Sequence, residues 1–104
     1  MIILGIESSC DETAAAICKN GNILSSIVSS QQIHKDFGGV VPEVASREHE
    51  RLLNYSVEKA LDEAEIALSD LDGVGVTQGP GLAGALITGV CFAKGLSQSL
   101  NIPI

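Results

Sequence analysis

The stretch Ile2-Ile3-Leu4-Gly5-Ile6-Glu7-Ser8-Ser9-Cys10-Asp11-Glu12-Thr13-Ala14-Ala15-Ala16-Ile17-Cys18-Lys19-Asn20-Gly21-Asn22-Ile23-Leu24-Ser25-Ser26-Ile27-Val28-Ser29 decides the fold class. Ile2, Leu4 and Ile6 alternate with Ile3, Gly5 and Glu7, the two-residue period of a strand. Residues 8–12 are polar and read as a turn, and residues 13–18 as a second strand of small apolar side chains. Asn20-Gly21 is a strong hairpin signal, because both central positions of that turn adopt positive φ. Residues 23–29 then complete an antiparallel meander of three strands.

Beyond it the period changes. Residues 30–41 form a loop with Gly38-Gly39 as its flexible point, and Pro42 suits a first helical turn, where a missing N–H costs nothing. Ala45, His49, Leu52, Leu53, Val57, Ala60, Leu61, Ala64 and Leu68 fall on one stripe, which predicts a helix over 43–68. Glu43 with Arg47 and Lys59 with Glu63 support it at four-residue spacing. Residues 74–77 are a short buried strand, and 82–100 a second helix, apolar nearly all round. Gly81, Ala85, Gly89 and Ala93 form a small-residue ridge, which would admit the first helix or a partner's helix. Residues 101–104 read as the entry to a further strand, so the chain is expected to be a piece of something longer.

The 104 residues carry 6 Lys+Arg and 13 Asp+Glu, a net charge of −7, with 45% hydrophobic and 3% aromatic residues. This is a globular composition for one small domain. So few bases and rings make a poor stand-alone nucleic-acid binder, since phosphates are held by Lys and Arg and bases stack on rings. The charge is uneven: nine acids against three bases lie between Glu43 and Asp72, so it describes mainly the surface of the first helix. An odd count of three Cys without C-x-x-C fits a reducing compartment, and a cytoplasmic location is expected. The uncharged run 73–93 is long enough to span a membrane, but Gln78-Gly79-Pro80-Gly81 interrupts it; no membrane partner is expected.

Two places could carry chemistry. The turn from Gly5 to Thr13 gathers three carboxylates and three hydroxyls, and like charges this close need a cation, a metal or N–H groups to offset them. Thr77-Gln78-Gly79-Pro80-Gly81 is a strand end and glycine turn opening a helix, where free N–H groups attract anions. Gly79 to Gly84 also satisfies G-x-G-x-x-G, but it follows a meander and a helix, and no acidic residue lies about twenty positions on, so a dinucleotide site is weakly supported. His49-Glu50-Arg51-Leu52-Leu53 begins like H-E-x-x-H, yet Leu53 occupies the place of the second His. His49 lies on the apolar stripe and reads as a hydrogen-bonded core side chain; His34, in a loop, has no metal-site partner. No base can be assigned to Cys10, and a Cys–His hydrolase is weakly supported.

Three segments in this order, Ile3 to Thr13, Phe37-Gly38-Gly39-Val40-Val41-Pro42-Glu43-Val44-Ala45-Ser46-Arg47-Glu48-His49 and Thr77-Gln78-Gly79-Pro80-Gly81-Leu82, closely resemble the TsaD family, formerly called O-sialoglycoprotein endopeptidases or glycoproteases. The resemblance implies an α/β fold: the first lobe of an actin-like ATPase, related to ribonuclease H, with the meander followed by helix, strand and helix. It implies transfer of a threonylcarbamoyl group from its adenylate to the adenosine beside the anticodon of tRNA, an acyl transfer with AMP leaving. On it, residues 1–104 would be the first lobe, incomplete and inactive alone, with the second lobe absent. Asp11 would be the catalytic residue, orienting the adenylate or the attacking amine, with Ser9 and Glu12 beside it. Glu7, Ser8, Gly79 and Gly81 would face substrate phosphate. A divalent metal, iron or zinc, would take ligands beyond Ile104 and none in this chain, and the fragment would bind no cofactor. The helices 43–68 and 82–100 would pack against a TsaB-like paralogue or a second copy, and tRNA would bind only through the full complex. The alternatives are a non-catalytic interaction module and, after the older family name, a metallopeptidase.

Overall fold

The computed structural model describes residues 1–104. Strands β1 (Ile2–Glu7), β2 (Glu12–Lys19) and β3 (Asn22–Ser30) form the expected meander. Helix α1 (Pro42–Ala64), strand β4 (Gly73–Val76) and helix α2 (Ala83–Leu100) follow. At the hairpin Asn20 and Gly21 have φ of 52° and 85°, the positive values that the dipeptide predicted. The sheet order is β3-β2-β1-β4. β2 runs antiparallel to both neighbours, and β4 pairs parallel to β1 from Ile3↔Gly73 to Ile6↔Val76.

Both helices cover one face of the sheet. Leu4, Ile6, Ala15 and Ile17 point into the core and meet Leu53, Val57, Ala60 and Leu61 of α1, with Val74 and Ala93. Leu4, Ile17 and Leu53 are fully buried, and each contributes about 1.5–3 kcal/mol by leaving water.

Three sequence expectations change. Residues 30–41 contain a short 3-10 helix, Ile33–Phe37. The first helix stops at Ala64, not 68: Glu65 turns left-handed at φ 57°, and the Ile66 N–H reaches back to the Leu61 carbonyl at 3.0 Å. This is a Schellman closure, in which the residue after the left-handed one makes an apolar contact with the helix. Ile66 therefore joins the core, whereas Leu68 sits in a 3-10 turn and is 39% exposed. α2 ends the same way, with Asn101 left-handed and Ile102 packed inward. Residues 102–104 are not a strand, but the Pro103 carbonyl accepts the Val74 N–H at 3.0 Å beside β4.

The small-residue ridge is used within this chain, by β1 as well as by the first helix. Ala85, Gly89 and Ala93 are buried. A Cβ on Gly89 would lie 2.2 Å from Ser8 Oγ, and one on Gly81 2.5 Å from the Ser9 carbonyl oxygen. Gly81 and Gly89 thus seat α2 on the end of β1, while Ala93 joins the core with Leu53, Val57 and Ala60 of α1, and Gly84, beside the ridge, meets α1 at Ser46.

Candidate functional site

β1 and β2 are adjacent and antiparallel, so the turn between them lies at one end of the sheet, beside the loop that links β4 to α2. That loop contains a cis Gly79-Pro80 peptide. The two are stitched together: the Leu82 N–H donates to the Ser9 carbonyl at 2.7 Å, and the Thr77 hydroxyl donates to Glu7 Oε2 at 3.1 Å. From the other side, His49 of α1 reaches under the turn, its Nε2 2.7 Å from the Cys10 carbonyl and its Nδ1 2.8 Å from Thr13 Oγ1. Three segments far apart in sequence therefore meet at residues 7–13.

The predicted site residues divide accordingly. Ser9, Asp11 and Glu12, with Glu7, line an open depression of about 350 Å³ that continues to Cys10, Ala14 and Val28. Asp11 also borders a second, polar basin of about 430 Å³, formed with Gln31, His34, Lys35 and Gly38 to Val40. Ser8 is not in this group: its side chain is fully buried, and its hydroxyl donates to the Ala85 carbonyl at 2.8 Å. Gly79 has open space where a side chain would be, while Gly81 rests on the Ser9 backbone. A dinucleotide site at this G-x-G-x-x-G finds the α2 N-terminus facing the first turn, with the Leu82 amide already engaged.

Partial burial raises the Glu7 carboxyl, but hydrogen bonds from the Ser9 hydroxyl, the Ser9 N–H and the Thr77 hydroxyl outweigh it and hold the acid below its ordinary range. Partial burial and the adjacent Asp11 charge push the Cys10 thiol up, away from the thiolate a nucleophile requires. His49 contacts the Cys10 backbone, so no Cys–His nucleophile pair exists. His34 is buried too: Nδ1 accepts the Val41 N–H at 3.1 Å and Nε2 meets Gln31 Oε1. Both histidines are thus occupied, and no three His, Cys, Asp or Glu side chains gather as metal ligands. These residues do not fit an iron or zinc ion. Sequence reasoning saw His49 as a core residue and missed its tie to the turn; its stripe position was visible, its acceptor, a backbone carbonyl, was not.

The family model described as TsaD, tRNA N6-adenosine threonylcarbamoyltransferase, matches residues 22–104. This chain belongs to the TsaD family. A tRNA N6-adenosine threonylcarbamoyltransferase from Prosthecochloris aestuarii is 58% identical over 104 residues, covering 100% of this chain and 30% of that protein. One from Clostridium kluyveri is 61% identical over 104 residues, covering 98% and 30%. The chain thus spans about 30% of the length of the TsaD relatives it matches. Among solved structures, YeaZ from Pseudomonas aeruginosa superposes with a TM-score of 0.74 at 20% identity over 100% of this chain and 44% of that one. A second Pseudomonas aeruginosa structure, of an uncharacterized protein with similarity to peptidase YEAZ, gives 0.70 at 22%, over 99% and 42%. The fold is the actin-like α/β arrangement expected for the TsaD family. No helix is long and apolar enough to cross a membrane.

Proposed function

We propose that residues 1–104 are the first lobe, incomplete, of an enzyme that transfers the threonylcarbamoyl group from threonylcarbamoyl-AMP to the adenosine beside the anticodon of tRNA. The observation that carries this reading is convergence: the three segments that resemble the TsaD family meet at one turn, which presents Asp11, Ser9 and Glu12 to an open depression. In the reaction the adenosine amine attacks the carbamoyl carbon, the bond from that carbon to the phosphate oxygen breaks so that AMP leaves, and the amine proton passes to water. Asp11 would orient the adenylate or that amine electrostatically, with Ser9 and Glu12 beside it. Glu7, tied to Ser9 and Thr77, would brace the phosphate side of the turn, with Gly79 open to the same region. The iron or zinc would be held by residues outside this stretch, and the lobe alone would be inactive.

Transfer from the adenylate to tRNA by the full-length chain is the test. Asp11→Asn is expected to lose about 100-fold in kcat or more, the usual cost of removing a charge placed at the reacting atoms. A variant with parental kcat would sink the assignment.

A second reading concerns partners. Leu53, Ile87, Cys91 and Phe92 line an apolar groove between α1 and α2, with Ile87 60% exposed. Exposed apolar surface of this kind marks contact sites. It supports packing of both helices against a TsaB-like paralogue through their outer faces. The metallopeptidase reading draws no support from Cys10 or either histidine.

A further inference from the structure

Three successive carbonyl oxygens of the first turn each accept from a different element. Ser9 takes the Leu82 N–H at 2.7 Å, Cys10 takes His49 Nε2 at 2.7 Å, and Asp11 takes the Gln31 N–H at 3.0 Å. Two of these donors are backbone amides, placed by the path of the chain. The third is a side chain, and it is fully buried.

A carbonyl oxygen only accepts, so Nε2 carries a proton toward Cys10; Nδ1 lies 2.8 Å from the hydroxyl of Thr13, a group that can both donate and accept. Thr13 is also fully buried. The imidazole therefore grips the chain at residue 10 and again at residue 13, and Asp11 and Glu12 are the two residues between the grips. Such fixing matters at a site, because a displacement of about 1 Å can cost about 100-fold in rate.

We propose that His49 is the positioning residue of this site: through its Nε2–H and its Nδ1 it holds both ends of the 10–13 segment and so aims Asp11. The inference rests on the reading of Asp11 as the catalytic carboxylate. His49 lies beneath the turn and touches no substrate.

The Nε2 proton needs no variant to be tested. In the full-length chain labelled with ¹⁵N-histidine, His49 is expected to show a protonated Nε2 hydrogen-bonded to the Cys10 carbonyl. An unprotonated Nε2 would overturn the proposal. His49→Gln keeps an N–H near the Nε2 position, whereas His49→Asn keeps a polar group only near Nδ1. Asn is expected to lower kcat about 10-fold to 100-fold with little change in KM, and Gln to restore most of it. Equal losses in the two variants, or a loss in KM alone, would count against positioning. Thr13→Ser against Thr13→Val repeats the comparison from the other nitrogen if the His49 variants fold poorly. Combining His49→Asn with Asp11→Asn is expected to cost nothing beyond Asp11→Asn; a further loss overturns action through Asp11. An Asp11→Asn variant with parental kcat sinks the Asp11 reading by itself, and the Nε2 proton and Gln rescue still decide whether His49 holds the turn.

Discussion

The first turn and the groove between the two helices are both surface features, but they are built in opposite ways. At the turn, each carbonyl from Ser9 to Asp11 is held by a different element, and the Glu7 carboxylate is held by Ser9 and Thr77. In the groove, Ile87 and Cys91 are exposed on α2 beside Phe92 and Leu53, around an open volume of about 440 Å³. The turn fixes where charges point, which is what positioning for chemistry requires. The groove offers apolar area, which gains free energy only when something covers it.

Three substitutions would break or sharpen this contrast. The largest effect is expected beneath the turn. A Cβ at residue 89 meets Ser8 Oγ at 2.2 Å and Ser8 Cβ at 3.2 Å, so Gly89→Ala should cost about 1–3 kcal/mol in denaturant unfolding. Unchanged stability would mean that α2 is not seated on the end of β1.

A smaller effect, dependent on pH, is expected at Glu7. Its acid is held below the ordinary range in the folded chain, so ionised Glu7 adds stability above its unfolded value of about 4.5. That contribution falls away as the pH drops through the lower folded value. Glu7→Gln should therefore cost about 0.5–1 kcal/mol at neutral pH, allowing for solvent screening of a half-exposed group. The gap to the parent should close below pH 4.5, read from melting curves across pH. A gap independent of pH would show that its charge is not what the Ser9 and Thr77 hydrogen bonds stabilise.

The smallest effect on stability belongs to the groove. Ile87→Ser should change it by less than about 0.5 kcal/mol, because the side chain is largely in water already. The same change should abolish association of the full-length chain with a TsaB-like partner in light scattering. Retained association would remove the partner reading, and loss of a self-dimer instead would assign the groove to a second copy.

The contrast also separates what could be read in advance. The meander was legible because side-chain alternation and the Asn20-Gly21 turn are local properties. The helix over residues 43–68 was legible in its stripe, but its end was not. Glu65 is an unusual residue for a left-handed closure, and it adopts one because Ile66 gains a place in the core. The ridge of Gly81, Ala85, Gly89 and Ala93 was visible as a close-packing surface, yet its spacing is the same whichever neighbour fills it. Ser8 and Ser9 look alike in sequence; α2 buries the first and leaves the second at the depression.

The sequence by itself determined the order of elements, the acidic outer surface of α1 and the gathering of Glu7, Asp11 and Glu12 at one turn. Each depends on period, turn chemistry or adjacency along the chain. Only the tertiary structure decided that His49, Gln31 and Leu82 converge on that turn and that Gly89 of α2 faces inward. The physical reason lies in the acceptors. Every residue carries the same carbonyl oxygen, so no side-chain pattern announces which carbonyl a distant donor will reach, and packing the helices on the sheet makes that choice.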